Sequence, residues 1–469
     1  MSNPGHEDSQ RRRLVLLCVL VFLSRLLFAG VVLWRAGAAG FTAPDTITYT
    51  DPTQHLLHGS FSSDDNFPEP GGPELFRTPG YPLLLLPAMA LHYPIAIAVF
   101  ENCLLVFFLC WIMGKLLVEI SPGSKALGWV IGLYAIEPSG LLHCEKVLSE
   151  IAFATFFLLF VWLFLRFLRD PRYSRLVVSV LVLGAATYIR PVTIYLGVWL
   201  VPILFYFPRT LVWNRRVLRA VLFPVLFALT LVPWILRNAV ETGYASFSSS
   251  GPVNLYFYSG AALKGQLEHR SFSEELAAMG YNDTRHYFEV HPEQKDWPEA
   301  KIIRYWQTEA NKLVGAHWRA YTLIHARGCM QVVLNPGVSE VLGELGLSSG
   351  RDDTISARSH DGVVSGIRWY LSHHPIAAVL IPAMMVQLLL YYVFALVGLR
   401  RLPLQVKVLF GSLFVYFVLV SGFPAATARF RLPLMPLVCI CAAVAIAGRK
   451  AKPSQTADEK SKAPANLRA

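Results

Sequence analysis

Apolar runs of about 18 residues or more recur along this chain, each long enough to cross a hydrocarbon core ~30 Å thick. Lipid offers the backbone no water, so each run has to pair its own amides, which a helix does. Of the 469 residues 54% are hydrophobic and 16% are charged, whereas soluble domains carry about 25% charged residues. Mean hydropathy is +0.45. The fold class that follows is an all-α polytopic membrane protein.

Ten transmembrane helices are predicted, at 14–36, 94–117, 126–142, 149–168, 175–189, 191–207, 220–236, 376–398, 406–422 and 432–448. Arg190-Pro191 interrupts the 175–207 region, which leaves room for one kinked element there. Residues 82–92 form an extra apolar piece, too short to span, that lies in the interface or re-enters. The first run is read as a span and not as a removable signal peptide. It outlasts a signal h-region, lacks a small-x-small cleavage site close behind, and carries Arg25 near its middle.

Charge orients the bundle. With the N-terminus inside, the inner segments collect Arg11, Arg12, Arg13, Lys115, Lys125, Arg166, Arg169, Arg172 and Arg175. Further along they hold Arg209, Arg215, Arg216, Arg219, Arg400, Arg401 and Lys407. The short outer segments keep Arg35, Arg77, Lys146, Arg190, Arg429 and Arg431. This is a strong positive-inside bias that puts both termini in the cytoplasm. The net charge of +11 is thereby a matter of topology and not of nucleic-acid binding.

The organisation that results is a cytoplasmic N-terminal tail (1–13) and an N-terminal transmembrane module (14–236) with a large first external loop at 37–93. An extracytoplasmic segment (237–375) follows, large enough for a small helical domain. The C-terminal transmembrane helices (376–448) lead to a polar tail (449–469) with a disordered composition. No internal repeat is visible, which counts against an inverted-repeat transporter. Of seven cysteines, Cys18, Cys103, Cys110, Cys439 and Cys441 fall in apolar spans, and only Cys144 and Cys329 look external. At most one disulfide is expected, and there is no zinc spacing.

The residues with chemical potential gather at the outer face. Arginines kept at outer span ends run against the positive-inside preference, and an anionic ligand held by guanidinium groups would account for them. The bland alternative is snorkelling or pairing with a nearby acid. Asp45, in Ala43-Pro44-Asp45-Thr46, could take a proton from an acceptor hydroxyl or simply cap the following helix. In Phe76-Arg77-Thr78-Pro79-Gly80-Tyr81-Pro82 two prolines fix a rigid turn around a Gly-Tyr pair. Arg25 is costly to bury and is expected to face the bundle interior, paired with an acid such as Glu101 or Glu137. His373-His374 reads as an interfacial pair.

Asp45, Tyr49 and His55-Leu56-Leu57-His58-Gly59, followed by the Phe76–Pro82 turn, resemble the first external loop of the GT-C glycosyltransferases. The likeness is to the bacterial dolichyl-phosphate-mannose–protein mannosyltransferase-like group, which includes the lipid A aminoarabinose transferases. Leu148-Ser149-Glu150, Tyr188-Ile189-Arg190-Pro191, Val232-Pro233-Trp234-Ile235-Leu236-Arg237-Asn238, Gly251-Pro252-Val253-Asn254-Leu255-Tyr256 and Arg429-Phe430-Arg431-Leu432-Pro433-Leu434-Met435-Pro436 continue it in order, over about residues 14–448.

The resemblance implies a transferase that moves a sugar from a polyprenyl-phosphate donor to an extracytoplasmic lipid, glycan or protein acceptor. It would work in a bacterial inner (plasma) membrane. Asp45 takes the place of the catalytic acid; Arg77, Tyr81, Glu150, Arg190, Arg237, Arg429 and Arg431 take substrate-binding places. The adjacent acidic pair of the protein mannosyltransferases is missing at Asp45-Thr46, which counts against a protein acceptor. A divalent metal is compatible with the chemistry, but no carboxylate pair beside Asp45 supports one, and no cofactor is assigned. The rival reading is a transporter or a non-catalytic subunit of envelope polysaccharide machinery.

Overall fold

The computed structural model describes residues 4–122, 125–207, 211–344, 368, 371–373 and 375–448, and the described chain is helical, with one isolated β-bridge between Ser62 and Pro73. The tail 449–469, His374 and the stretch 345–367 of the long segment lie outside the described residues. Among the described residues seven helices are long and apolar enough to cross a membrane: Asp8–Phe41, Pro94–Ile120, Glu150–Arg169, Trp213–Thr242, Ala377–Arg401, Leu404–Ser421 and Ala428–Ile446. They coincide with seven of the ten predicted spans.

The other three predicted spans are shorter or broken, each for a local reason. Residues 126–142 divide into Leu127–Ala135 and Pro138–Cys144. Pro138 opens the second piece, and the Glu137 carboxylate caps it by accepting from the Ser139 and Gly140 amides at 3.1 and 2.6 Å. Tyr173–Ile189 is a single helix of 17 residues. Beyond it Arg190 is extended (φ −144°), and Pro191–Tyr206 continues as short helical turns. The chain between 175 and 207 is therefore interrupted at Arg190-Pro191. The 82–92 piece is the helix Gly80–Ala90.

Glu150–Arg169 is the axis of the bundle. It packs against Pro94–Ile120 on one side and Tyr173–Ile189 on the other. Phe153, Phe157, Phe160, Phe164 and Phe167 run along it at helical spacing and are all buried. The C-terminal pair, Ala377–Arg401 and Met435–Ile446, packs so closely that a side chain at Gly398 would meet the Cys441 carbonyl oxygen. Arg25 is 1% exposed and donates to the Ala135 carbonyl at 2.9 Å. The expected acid partner is thus replaced by a backbone oxygen at the end of a broken helix, while Glu137 is engaged in its cap.

The first loop and the described part of the long segment share one apolar core. Phe67 and Leu75 from the loop meet Tyr256, Phe257, Tyr287 and Trp306 from the segment, with Phe67 stacked on Trp306 at 5.9 Å. The Trp306 indole donates to the Tyr287 hydroxyl at 2.8 Å, which donates to Gln294 at 2.6 Å. The described part of the long segment and the loop therefore fold as one layer over the end of the bundle.

Gly80 fixes how the loop returns to the bundle. A Cβ there would lie 2.4 Å from the Tyr188 carbonyl carbon, so only glycine lets this turn lie against Tyr188 and Ile189. Gly80→Ala should lose about 1–3 kcal/mol to overpacking, read as a lower unfolding temperature of the detergent-solubilised protein. Gly132→Ala, where nothing stands within 4 Å, should leave that temperature unchanged or raise it.

Candidate functional site

Five separate stretches of chain meet at the mouth of the bundle. Asp45 arrives from the turn after the first helix, Arg77 from the proline-bounded loop, Glu150 from the first turn of the axial helix, and Arg190 from the break after Tyr173–Ile189. Arg429 comes from the 3₁₀ turn Ala428–Leu434. All five line an open cavity of about 2670 Å³ that reaches up between the first loop and the long segment.

Arg429 holds the group together. Its Nη2 donates to Asp45 Oδ2 at 2.6 Å, and its Nε lies 3.6 Å from Glu150 Oε1. Arg190 Nη1 meets the same Glu150 oxygen at 2.5 Å. Arg77 Nη2 stands 3.6 Å from Asp45 Oδ1, donates through Nε to Thr48 and through Nη1 to Tyr49, and lies 4.4 Å above the Tyr49 ring. Tyr49 in turn is hydrogen-bonded to Ser149 at 3.0 Å. The cluster carries three guanidinium groups against two carboxylates, an excess of positive charge facing the cavity.

Asp45 does not cap its helix. Ile47–Leu57 begins after Thr46 without a side-chain cap, and the Asp45 carboxylate is turned to the two arginines. Burial works to raise its pKa, but Arg429 and Arg77 outweigh that and hold it below the usual carboxylate range. The carboxylate is ionised at neutral pH, a good hydrogen-bond acceptor and a weak base.

Three predicted residues stand back from the cavity. Tyr81 is 2% exposed, and its ring packs edge-on against Tyr49 at 5.1 Å; it supports Arg77 from behind. Arg237 donates to the Phe61 and Glu74 carbonyls at 2.6 and 3.0 Å and pairs with Glu241 at 2.6 Å. It fastens the first loop to the end of Trp213–Thr242. Arg431, 3% exposed, donates to the Val332 and Asn335 carbonyls and anchors the end of the helix Trp318–Leu334. Motif position assigned these three to the substrate, whereas Arg237 and Arg431 spend their guanidinium groups on backbone oxygens of the cavity's own walls and Tyr81 spends its ring on Tyr49.

Sequence reasoning passed over Thr48, His143 and Ser248, which also line the cavity. Thr48 was legible one turn after Asp45, on the face that Arg77 contacts. His143 and Ser248 carried no signal of spacing. Arginines engage Asp45 and Glu150 Oε1, while Glu150 Oε2 is buried without a hydrogen-bond partner.

Behind Arg77 lies an acidic pair that couples loop and segment. Burial raises Glu74 to about 7, against the pull of the Arg77 and Phe76 amides that donate to it. Burial, with Glu69 and Glu74 nearby, raises Glu299 to about 8. Asn66 donates to Glu299 at 3.4 Å. Because the folded pKa of Glu299 exceeds its ordinary 4.5, its contribution to stability is full below that value and is lost as pH climbs to about 8. Glu299→Gln should therefore unfold at a higher temperature than the parent at pH 9 and at a similar temperature at pH 5, in a thermal scan of solubilised protein.

No family model, no curated protein and no solved structure matches the chain, so the arrangement itself carries the functional argument.

Proposed function

We propose that the chain is an integral-membrane glycosyltransferase that takes a sugar from a polyprenyl-phosphate donor and passes it to an extracytoplasmic acceptor. In this reading the shorter and broken helices complete a ten-span bundle with both termini in the cytoplasm. The cavity opens on the outer side of a bacterial inner membrane. The observation that carries the proposal is the cluster of Arg77, Arg190 and Arg429 around Asp45 and Glu150 at the floor of a cavity large enough for a lipid-linked sugar.

A phosphate oxygen entering the cluster would exchange places with a carboxylate on guanidinium groups that are already oriented, so little reorganisation is needed as charge develops. The acceptor oxygen attacks the anomeric carbon while the bond from that carbon to the phosphate oxygen breaks, with inversion. The polyprenyl phosphate departs with the electron pair. The acceptor proton passes to Asp45 late, since its carboxylate is a weak base whose first task is to orient the hydroxyl. Glu150 fixes Arg190 and Arg429 by sharing one oxygen between them.

The test is a transfer assay on purified protein in lipid, with a panel of radiolabelled polyprenyl-phosphate sugars and membrane extract as acceptor source. Label should move to a new product. Asp45→Asn should abolish transfer in a protein that still folds, and Arg429→Ala should lower it by about 10²–10³. Near-normal transfer in Asp45→Asn would remove that residue from the mechanism. Saturable carrier binding without transfer, weakened in Arg77→Ala, would make the chain a transporter or an assembly subunit.

A further inference from the structure

A second cluster, independent of the arginine site, lies deeper in the bundle. Cys103 sits about two and a half turns into Pro94–Ile120, Cys144 ends Pro138–Cys144, and Glu145 follows it. The two sulfurs and a Glu145 carboxylate oxygen lie within 4.8 Å of one another. Cys103 and Cys144 are fully buried, and Glu145 is 1% exposed. Both Glu145 carboxylate oxygens are enclosed without a hydrogen-bond partner.

An enclosed carboxylate with no partner is costly, the more so when it is charged. Its immediate neighbours are two thiols, which are weak donors. Hydrogen bonds beside the three groups hold them in place. Asn102, next to Cys103, donates to the Lys146 carbonyl at 2.7 Å, and the Val147 amide donates to the Phe41 carbonyl at 2.9 Å. The Asp51, His55 and Asp64 group elsewhere differs, since its Asp64 side chain is 76% exposed and its Asp51 carboxylate already accepts from the Ser63 hydroxyl and the Asp64 amide.

We propose that Cys103, Cys144 and Glu145 form a zinc site that fastens the 143–150 segment to the helix Pro94–Ile120. Two thiolates select a thiophilic ion, and the hard carboxylate oxygen favours Zn²⁺ over Cu⁺. Zn²⁺ with the two thiolates and the carboxylate leaves one negative charge. Arg25, buried and close enough for its charge to act on both Cys144 and Glu145, balances it. Binding releases the two thiol protons to solvent. The fourth coordination position is left to a small ligand. The segment so fixed leads through Ser149 to Glu150, so the ion would set the wall of the cavity without touching it.

The experiment uses the full chain purified in detergent without chelator. Zinc is measured by mass spectrometry, and Co²⁺ uptake is followed by the thiolate-to-cobalt charge-transfer band. The expected result is about one zinc per chain and a cobalt band in the parent, both lost in the Cys103→Ala, Cys144→Ala double variant and both kept in Cys441→Ala. Glu145→Gln should weaken binding by roughly tenfold or more. A parent chain that neither retains zinc nor takes up cobalt at saturation overturns the proposal, as does a Cys103–Cys144 disulfide in the peptide map or zinc retained by the double variant. Should the double variant fail to fold, the cobalt band of the parent and its change in Glu145→Gln decide.

Discussion

The contact of Arg429 with both Asp45 and Glu150 is the interaction on which the rest of the cavity depends. It joins positions 384 apart in the chain and ties the last turn before the final helix to the first turn after the first one. Charges withdrawn this far from water are tolerated only when each meets an opposite charge in good geometry. Removal of any one member strands another, so the cluster behaves as a unit and not as five separate residues. With three guanidinium groups against two carboxylates, it keeps a surplus of positive charge.

The surroundings serve that cluster by restricting motion. Gly80 brings the proline-bounded turn against the backbone of Tyr188 and Ile189, and so places Arg77 near Arg190. Tyr49 passes the restraint on, touching Arg77 from one side and Ser149 from the other. The aromatic core around Trp306 then holds the whole first loop down against the long segment. Electrostatic work in an enclosed site gains from groups that do not have to turn when charge appears, and each of these contacts removes a way of turning.

Much of this was legible in the sequence, and the remainder was hidden for identifiable reasons. Long apolar runs declare themselves because lipid admits few solutions, and seven of them are helices of spanning length. The break at Glu137-Pro138 was written in the proline, but an apolar window averages over it. Asp45, Arg77, Glu150, Arg190 and Arg429 could be chosen because charge at a span end is unusual. Arg237 and Arg431 satisfied the same criterion and serve the backbone instead. A sequence shows that a guanidinium needs an oxygen without showing whose. Cys103 was read as a span residue and Cys144 as external, and neither was set beside the other or beside Glu145, since two helices and a turn have to pack before they become neighbours.

The stacking of Phe67 on Trp306 has a consequence for how the protein is made. The first loop emerges when only one helix has been inserted, yet the ring that covers Phe67 belongs to a residue synthesised far later. Until then Phe67 lacks its stacking partner and Asp45 lacks Arg429, while the loop itself already supplies Arg77 to Asp45 and the Phe76 and Arg77 amides to Glu74. Assembly of the bundle and assembly of the cavity are thus separate events in time. A nascent chain can hold most of its helices in lipid while this charged cluster is still incomplete, and the event that completes it is the arrival of Arg429, just before the last helix.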